Sequence, residues 1–138
     1  MKLPNGVQQW LWPTRGKVLQ GYQPDSPGKK GIATDVCVPI SRLAECVGAA
    51  QKRAADLDLV APVVGHAGDG NFHVTPMVNA SDPDEVARAA EFVSWLNELA
   101  ISMEGTCTGE HGIGLGKIAF LETESGPAGI SAMRAIKG

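Results

Sequence analysis

Hydrophobic and polar positions change their period several times along this chain, and each change marks a predicted element. From Thr34 onward, Val36, Val38 and Ile40 alternate with Asp35, Cys37 and Pro39, the period-2 signature of a half-buried strand. Ser41 is then the expected helix N-cap. Leu43, Val47, Ala50, Ala54 and Leu57 follow at 4-3-4-3 spacing, which draws one apolar stripe along a helix running to about Asp58. Leu59 to His66 and Phe72 to Asn79 read as the arms of a hairpin, because Asp69-Gly70 between them is among the strongest short turn signals. A two-residue turn there pairs Gly68 with Asn71, Ala67 with Phe72 and His66 with His73. Alternation puts Val63, Phe72, Val74 and Val78 on one face, and Val64, His66, His73, Thr75 and Met77 on the other. Only the first face has the composition of ordinary core.

Asp82-Pro83-Asp84-Glu85 is a strong helix start, with an acidic N-cap, proline in the first turn and carboxylates at the positive end of the helix dipole. Ala89, Phe92, Leu96, Leu99 and Met103 give that helix its core stripe, ending near Glu104-Gly105. The glycine-rich stretch Gly105 to Gly116 is too flexible for a helix and suited to close approach of backbone to a ligand. Lys117 to Glu122 and Gly129 to Lys137 look helical, interrupted by Ser125-Gly126-Pro127. Before Thr34, frequent proline and glycine break any long element, so residues 1–33 read as an irregular lead-in and loop, with a short helix or strand in Gln8 to Gln20. Residues 34–138 form the domain proper. The order strand, helix, strand, strand, helix predicts an α+β fold of ferredoxin-like type, an antiparallel sheet with helices packed on one face, plus a C-terminal helical segment.

Composition narrows the function classes. At 138 residues and 43% hydrophobic the chain suffices for one compact domain. A formal net charge of −3 without a basic run argues against nucleic acid and against a polybasic membrane anchor. Three cysteines without CxxC spacing read as reduced thiols. No run approaches the roughly 18 apolar residues of a transmembrane segment, and residues 1–20 lack a signal-peptide pattern. The expected location is cytoplasmic.

All three histidines lie in two glycine-rich segments, GHAGDGNFH at 65–73 and GTCTGEHGIGLGK at 105–117. A lone histidine is more often a satisfied structural group, but this concentration beside a glutamate favours a site. His66, His73 and Glu110 supply two imidazoles and a carboxylate, a ligand set for catalytic zinc, with related sets holding Fe²⁺ or Mn²⁺. Neighbours in an extended loop point in different directions, so His111 stays free beside the ion. That separates Lewis-acid polarisation of a substrate oxygen from proton removal by a neutral imidazole. Asp69 reads as the turn residue and Asn71 as a turn-bonding amide. For Trp10, Trp12 and Arg15, anchoring and ligand binding stay equally open. GIGLGK at 112–117 fits neither common phosphate-loop pattern.

TDVCVPISRLAE at 34–45 together with the two histidine segments closely resembles the C-terminal domain of FAD-linked oxidases, in the branch of D-lactate dehydrogenase (cytochrome) and glycolate oxidase. The resemblance covers roughly residues 10–138. It implies a substrate and metal domain of a flavoenzyme that oxidises a D-2-hydroxy acid, such as D-lactate or glycolate, to the 2-oxo acid. The FAD then sits mainly on a binding domain or subunit outside this chain. By the same resemblance His66, His73 and Glu110 bind the divalent metal, zinc being the first expectation, and His111 is the base. Trp12-Pro13-Thr14-Arg15 matches a W-x-x-R element whose arginine faces the substrate carboxylate, a pairing apt for a guanidinium. The chain departs from the family in having Thr75 where hydroxyglutarate-oxidising relatives have asparagine, and in lacking the family's tail. The chain alone is therefore expected to be inactive, with a stand-alone metal-binding module or an inactive truncated remnant as the alternatives. An uncovered flavin-facing surface predicts self-association, and the complete enzyme is compatible with peripheral membrane association.

Overall fold

A computed structural model describes residues 28–138; the element expected in Gln8 to Gln20 lies outside the described residues. The described chain runs β1 (Lys30–Gly31), β2 (Val36–Cys37), α1 (Ile40–Asp56), β3 (Val63–His66), β4 (Asn71–Val74), β5 (Met77–Val78), α2 (Pro83–Ser102) and α3 (Ile118–Lys137). The strands pair antiparallel as a three-stranded sheet of order β2-β4-β3 and a small ribbon of β1 with β5. After α2 the chain returns to the sheet edge, where Thr106 bridges Cys37 through N–H···O bonds of 2.8 and 3.1 Å. With that bridge as a fourth position the order becomes Thr106, β2, β4, β3. This is the ferredoxin-like arrangement of a β-α-β-β-α-β chain, shortened at its last strand, so the expected α+β class with an antiparallel sheet is observed.

The period-2 face assignments hold where they build the core. Val36, Val38, Phe72, Val74 and Val78 are buried together with Cys46, Ala50 and Ala54 of α1 and Ala89, Phe92, Leu96 and Ala100 of α2. Asp82 caps α2 as its sequence predicts, its Oδ1 accepting the N–H groups of Asp84 and Glu85 at 3.0 and 3.2 Å. Phe92 is wholly enclosed and packs tilted against Trp95 with ring centroids 6.0 Å apart. Its truncation in Phe92→Ala should destabilise the fold by about 3–5 kcal/mol, the usual cost of an aromatic-sized core cavity. The midpoint of urea unfolding reads this directly.

Two local expectations are corrected. The first helix begins at Ile40 with Pro39 as its N-cap, not Ser41, and no side chain caps it. The Pro39 ring holds φ at −49° with an extended ψ of 137°, so the chain enters the helix early and the Pro39 carbonyl accepts Arg42 N–H at 2.7 Å. Ile40 consequently swings out to 63% exposure instead of extending the buried face of the strand.

The hairpin is also tighter in pairing and longer in loop than a two-residue turn. His66 pairs with Asn71, Gly65 with Phe72, Val64 with His73 and Val63 with Val74. The loop is a single 3₁₀ turn over Ala67–Asp69, closed by Gly70 in the left-handed region at φ 74°. A Cβ on Gly70 would stand 2.1 Å from the Val38 carbonyl oxygen, and the Gly70 carbonyl itself accepts Val38 N–H at 3.0 Å. Gly70→Ala should therefore cost more than the about 1–3 kcal/mol of a left-handed non-glycine residue alone, visible as a lowered thermal midpoint. The register differs from expectation by two residues, and a shift of two, unlike a shift of one, keeps every side chain on its face. His66 and His73 thus share a face as diagonal neighbours.

α3 contains the interruption expected at Ser125-Gly126-Pro127: Gly126 leaves helical geometry at φ 67° and ψ 172°, and two helical halves meet there. Among the described residues no helix is long and apolar enough to cross a membrane.

Candidate active site

The face of the three-stranded sheet turned away from α1 and α2 carries His73 and Asn71 from β4, His66 from β3 and Cys37 from β2, with Asp35 one step before β2. Strand alternation puts these side chains together. The glycine-rich loop crosses the same face. Gly109 N–H donates to the Asp35 carbonyl at 3.1 Å. Only glycine fits there, since a Cβ would stand 1.7 Å from Asn71 Nδ2. Lys117 fastens the far end of the loop, its Nζ donating to the Asp35 carbonyl at 3.3 Å and to the Cys107 carbonyl.

The loop delivers Glu110 to the centre of the three imidazoles. Glu110 Oε1 lies 3.1 Å from His73 Nε2 and 3.5 Å from His111 Nε2, and Oε2 lies 3.9 Å from His66 Nε2. The His73 ring stands 6.4 Å from that of His66 and 5.8 Å from that of His111, centroid to centroid. His73 is largely enclosed, its side chain 16% exposed, whereas His66 and His111 open to solvent at 62% and 70%.

The tautomer of His73 follows from its other nitrogen. Nδ1 lies 2.8 Å from the Thr34 carbonyl oxygen, which can only accept, so Nδ1 carries the proton. In the neutral ring Nε2 then turns a lone pair toward Glu110 Oε1. Two acceptors at 3.1 Å repel unless a cation lies between them, either a proton or a metal ion. A ring nitrogen oriented by a carbonyl on its opposite edge is the usual support of a metal-binding histidine. Two donors each about 2.1 Å from one tetrahedral or octahedral ion stand about 3.0–3.4 Å apart, close to the 3.1 and 3.5 Å that separate Glu110 Oε1 from His73 and His111, whereas His66 stands further off at 3.9 Å. The donor set therefore fits a divalent ion.

The structure brings Glu110, His73, His66 and His111 to one place but orders them differently from the sequence expectation. Ligand-type atoms of Asp35, His73, Glu110 and His111 all lie within 4.8 Å of one another, while His66 reaches the group through the second oxygen of Glu110. Arg15 lies outside the described residues.

Asp35 is the residue that sequence reasoning missed. Its place in the alternating pattern predicts the polar side of a half-buried strand, yet it is buried. Its Oδ1 accepts Asn71 Nδ2 at 3.0 Å and Glu110 N–H at 3.3 Å; its Oδ2 accepts His111 N–H at 3.0 Å and Glu110 N–H at 3.1 Å. Asn71, expected to bond within the turn, serves this carboxylate instead. The available signal was the histidine face itself: Asp35 and His73 fall on the same side of the sheet by alternation.

Burial pushes the Asp35 carboxyl up, but the N–H groups of His111 and Glu110, the Asn71 amide and the Lys117 charge outweigh it and hold the pKa at about 2, below the ordinary 3.8. A folded-state value below the unfolded one stabilises the fold above the unfolded pKa and is lost as pH falls through the folded one. The metal-free chain should lose about 2 kcal/mol from this group between about pH 5 and pH 2. Urea midpoints across that range should fall more steeply for the wild type than for Asp35→Asn.

Residues 5–138 match the family model of FAD linked oxidases, C-terminal domain. Over 127 residues the chain is 43% identical to a probable mitochondrial D-lactate dehydrogenase of Danio rerio, covering 92% of this chain and 26% of that protein. It is 40% identical over 127 residues to the mitochondrial D-lactate dehydrogenase [cytochrome] of Arabidopsis thaliana, covering 92% and 22%. Against the glycolate oxidase subunit GlcD of Bacillus subtilis the identity is 41% over 106 residues, covering 77% and 23%. The chain thus spans about a quarter of the length of these relatives.

Proposed function

The chain belongs to the FAD-linked oxidase family, as its C-terminal domain, and on that premise we propose that it is the substrate- and metal-binding part of an FAD-dependent dehydrogenase acting on a small D-2-hydroxy acid. D-lactate and glycolate are the first candidates, since the relatives' names carry them. The single observation that supports the reading best is Glu110, whose carboxylate stands within 3.9 Å of a ring nitrogen on each of the three histidines.

His66, His73 and Glu110 would hold the ion. When bound, a divalent cation such as Zn²⁺ would supply Lewis-acid polarisation of a substrate oxygen, and FAD on another domain would supply the acceptor for the C2 hydride. The remaining work falls to this chain's own side chains. His73 is locked in one tautomer by Thr34 and offers Nε2 inward. His111 is the most exposed of the three rings and has the freedom to meet a hydroxyl, whose proton its neutral imidazole accepts. Arg15 would pair the substrate carboxylate through two parallel N–H···O bonds.

The test combines the chain with a flavin domain from a relative, adds D-lactate or glycolate, and follows flavin bleaching. Reduction that needs both chain and acid is the expected result. Bound metal with no bleaching across several flavin partners and acids would leave a metal-binding module and overturn the redox reading.

A further inference from the structure

We propose that Asp35 is the positioning residue of this site: one buried side chain fixes the backbone of Glu110 and His111 and so sets where both meet His73. This inference rests on the metal-site reading above. The Thr106 bridge and Lys117 fasten the ends of the loop, but the main-chain N–H groups of Gly109, Glu110 and His111 between them all go to Asp35. Gly109, Gly112 and Gly114 flank or follow the two functional residues, and Gly112 already sits at φ 79°. Against that flexibility, successive N–H groups of the loop all turn onto Asp35. Gly109 donates to its main-chain carbonyl at 3.1 Å, Glu110 to both carboxylate oxygens at 3.1 and 3.3 Å, and His111 to Oδ2 at 3.0 Å. Thr108 Oγ1 stands 3.5 Å from Oδ2 as well. Hydrogen bonds to an ionised acceptor are about twice as strong as neutral ones, and here they replace the sheet ladder that the loop lacks.

The same contacts explain why Asp35 is not itself a ligand, although its oxygens lie in the cluster. Both oxygens are already occupied by Asn71, Glu110 and His111, so binding an ion would require releasing the loop that carries the other ligands. Asp35 Oδ1 also stands 3.8 Å from His73 Nδ1, facing the protonated edge of the ring and favouring donation of electron density at Nε2. One carboxylate therefore serves the site from behind on both sides, through the loop backbone and through the His73 ring.

The test uses the full chain and Zn²⁺ alone, with amide hydrogen exchange on the metal-free protein as a readout independent of the ion. The Glu110 and His111 amides should be protected in the wild type; if they exchange as fast as free peptide, the clamp does not exist and the proposal falls. Asp35→Asn replaces one acceptor oxygen with an NH₂ group facing N–H donors. It should lose that protection and bind Zn²⁺ about 10–100-fold more weakly, the range typical of losing a ligand's supporting partner. Val78→Ala, a buried site on the β1–β5 ribbon, supplies a destabilised control that should keep wild-type affinity. A folded Asp35→Asn with protected amides and unchanged affinity would overturn the proposal. Should Asp35→Asn not fold, Gly109→Ala carries the question, because its Cβ, 1.7 Å from Asn71 Nδ2 and 2.9 Å from Asp35 Oδ1, displaces the loop from both without changing a charge; weakened Zn²⁺ binding supports the clamp, and wild-type affinity refutes it. A wild type that binds no Zn²⁺ yet shows protected amides would defeat the metal reading and leave the clamp standing.

Discussion

Replacing His111 by alanine should leave the divalent ion bound while turnover of the assembled flavoenzyme falls by about 10²–10⁴-fold, the span that general base catalysis commonly contributes. The geometry supports keeping the two proposed roles apart. His73 is enclosed, fixed in one tautomer by Thr34, and 3.1 Å from Glu110; His111 is 70% exposed and 3.5 Å from the same carboxylate. Its main-chain N–H, not its ring, is what ties the loop to Asp35, so alanine preserves the clamp and removes only the imidazole. Metal content and unfolding midpoint should both match the wild type. Added imidazole should restore part of the rate, because the lost ring opens directly to solvent. A variant with wild-type turnover would reject the role, and a variant that loses its metal would make His111 a ligand instead.

What could be read in the sequence depended on how local its cause was. α2 was legible because its cap, its first-turn proline and its stripe from Ala89 to Met103 all lie within one element, and each works as predicted. The faces of β3 and β4 were legible because alternation is a property of the strand alone. The hairpin register was not, since Gly70 answers to Val38, a residue more than thirty positions earlier whose N–H it satisfies. Pro39 displaced Ser41 as the N-cap because a fixed φ outweighs a weak side-chain preference at that point. In the candidate site, Glu110 and the histidines announced themselves through their glycine-rich surroundings. Asp35 did not. A carboxylate alternating with Val36 on a strand has every mark of a solvated position, and its burial is caused by backbone donors about seventy-five residues away. Alternation places Asp35 on the histidine face, but main-chain donors so far along the chain carry no side-chain identity that would mark it as buried.

The largest effect on metal binding is expected from Glu110→Gln. Loss of an outer supporting partner costs about 10–100-fold in affinity, so loss of the proposed central ligand should exceed about 100-fold. The fold should not suffer. With His73 neutral and no metal bound, Glu110 Oε1 faces the His73 Nε2 lone pair at 3.1 Å, a contact between two acceptors. A glutamine can turn its NH₂ toward Nε2 and convert that contact into a neutral hydrogen bond, while its main-chain N–H keeps both bonds to Asp35. The metal-free variant should therefore unfold at the same urea concentration as the wild type or a higher one. A ligand that binds only the folded state at 100 times its Kd stabilises it by about 2.7 kcal/mol. Zn²⁺ at that excess should raise the wild-type midpoint accordingly and leave Glu110→Gln unmoved. Equal Zn²⁺-induced shifts in the two proteins would remove Glu110 from the ligand set and, with it, the reason the three histidines converge.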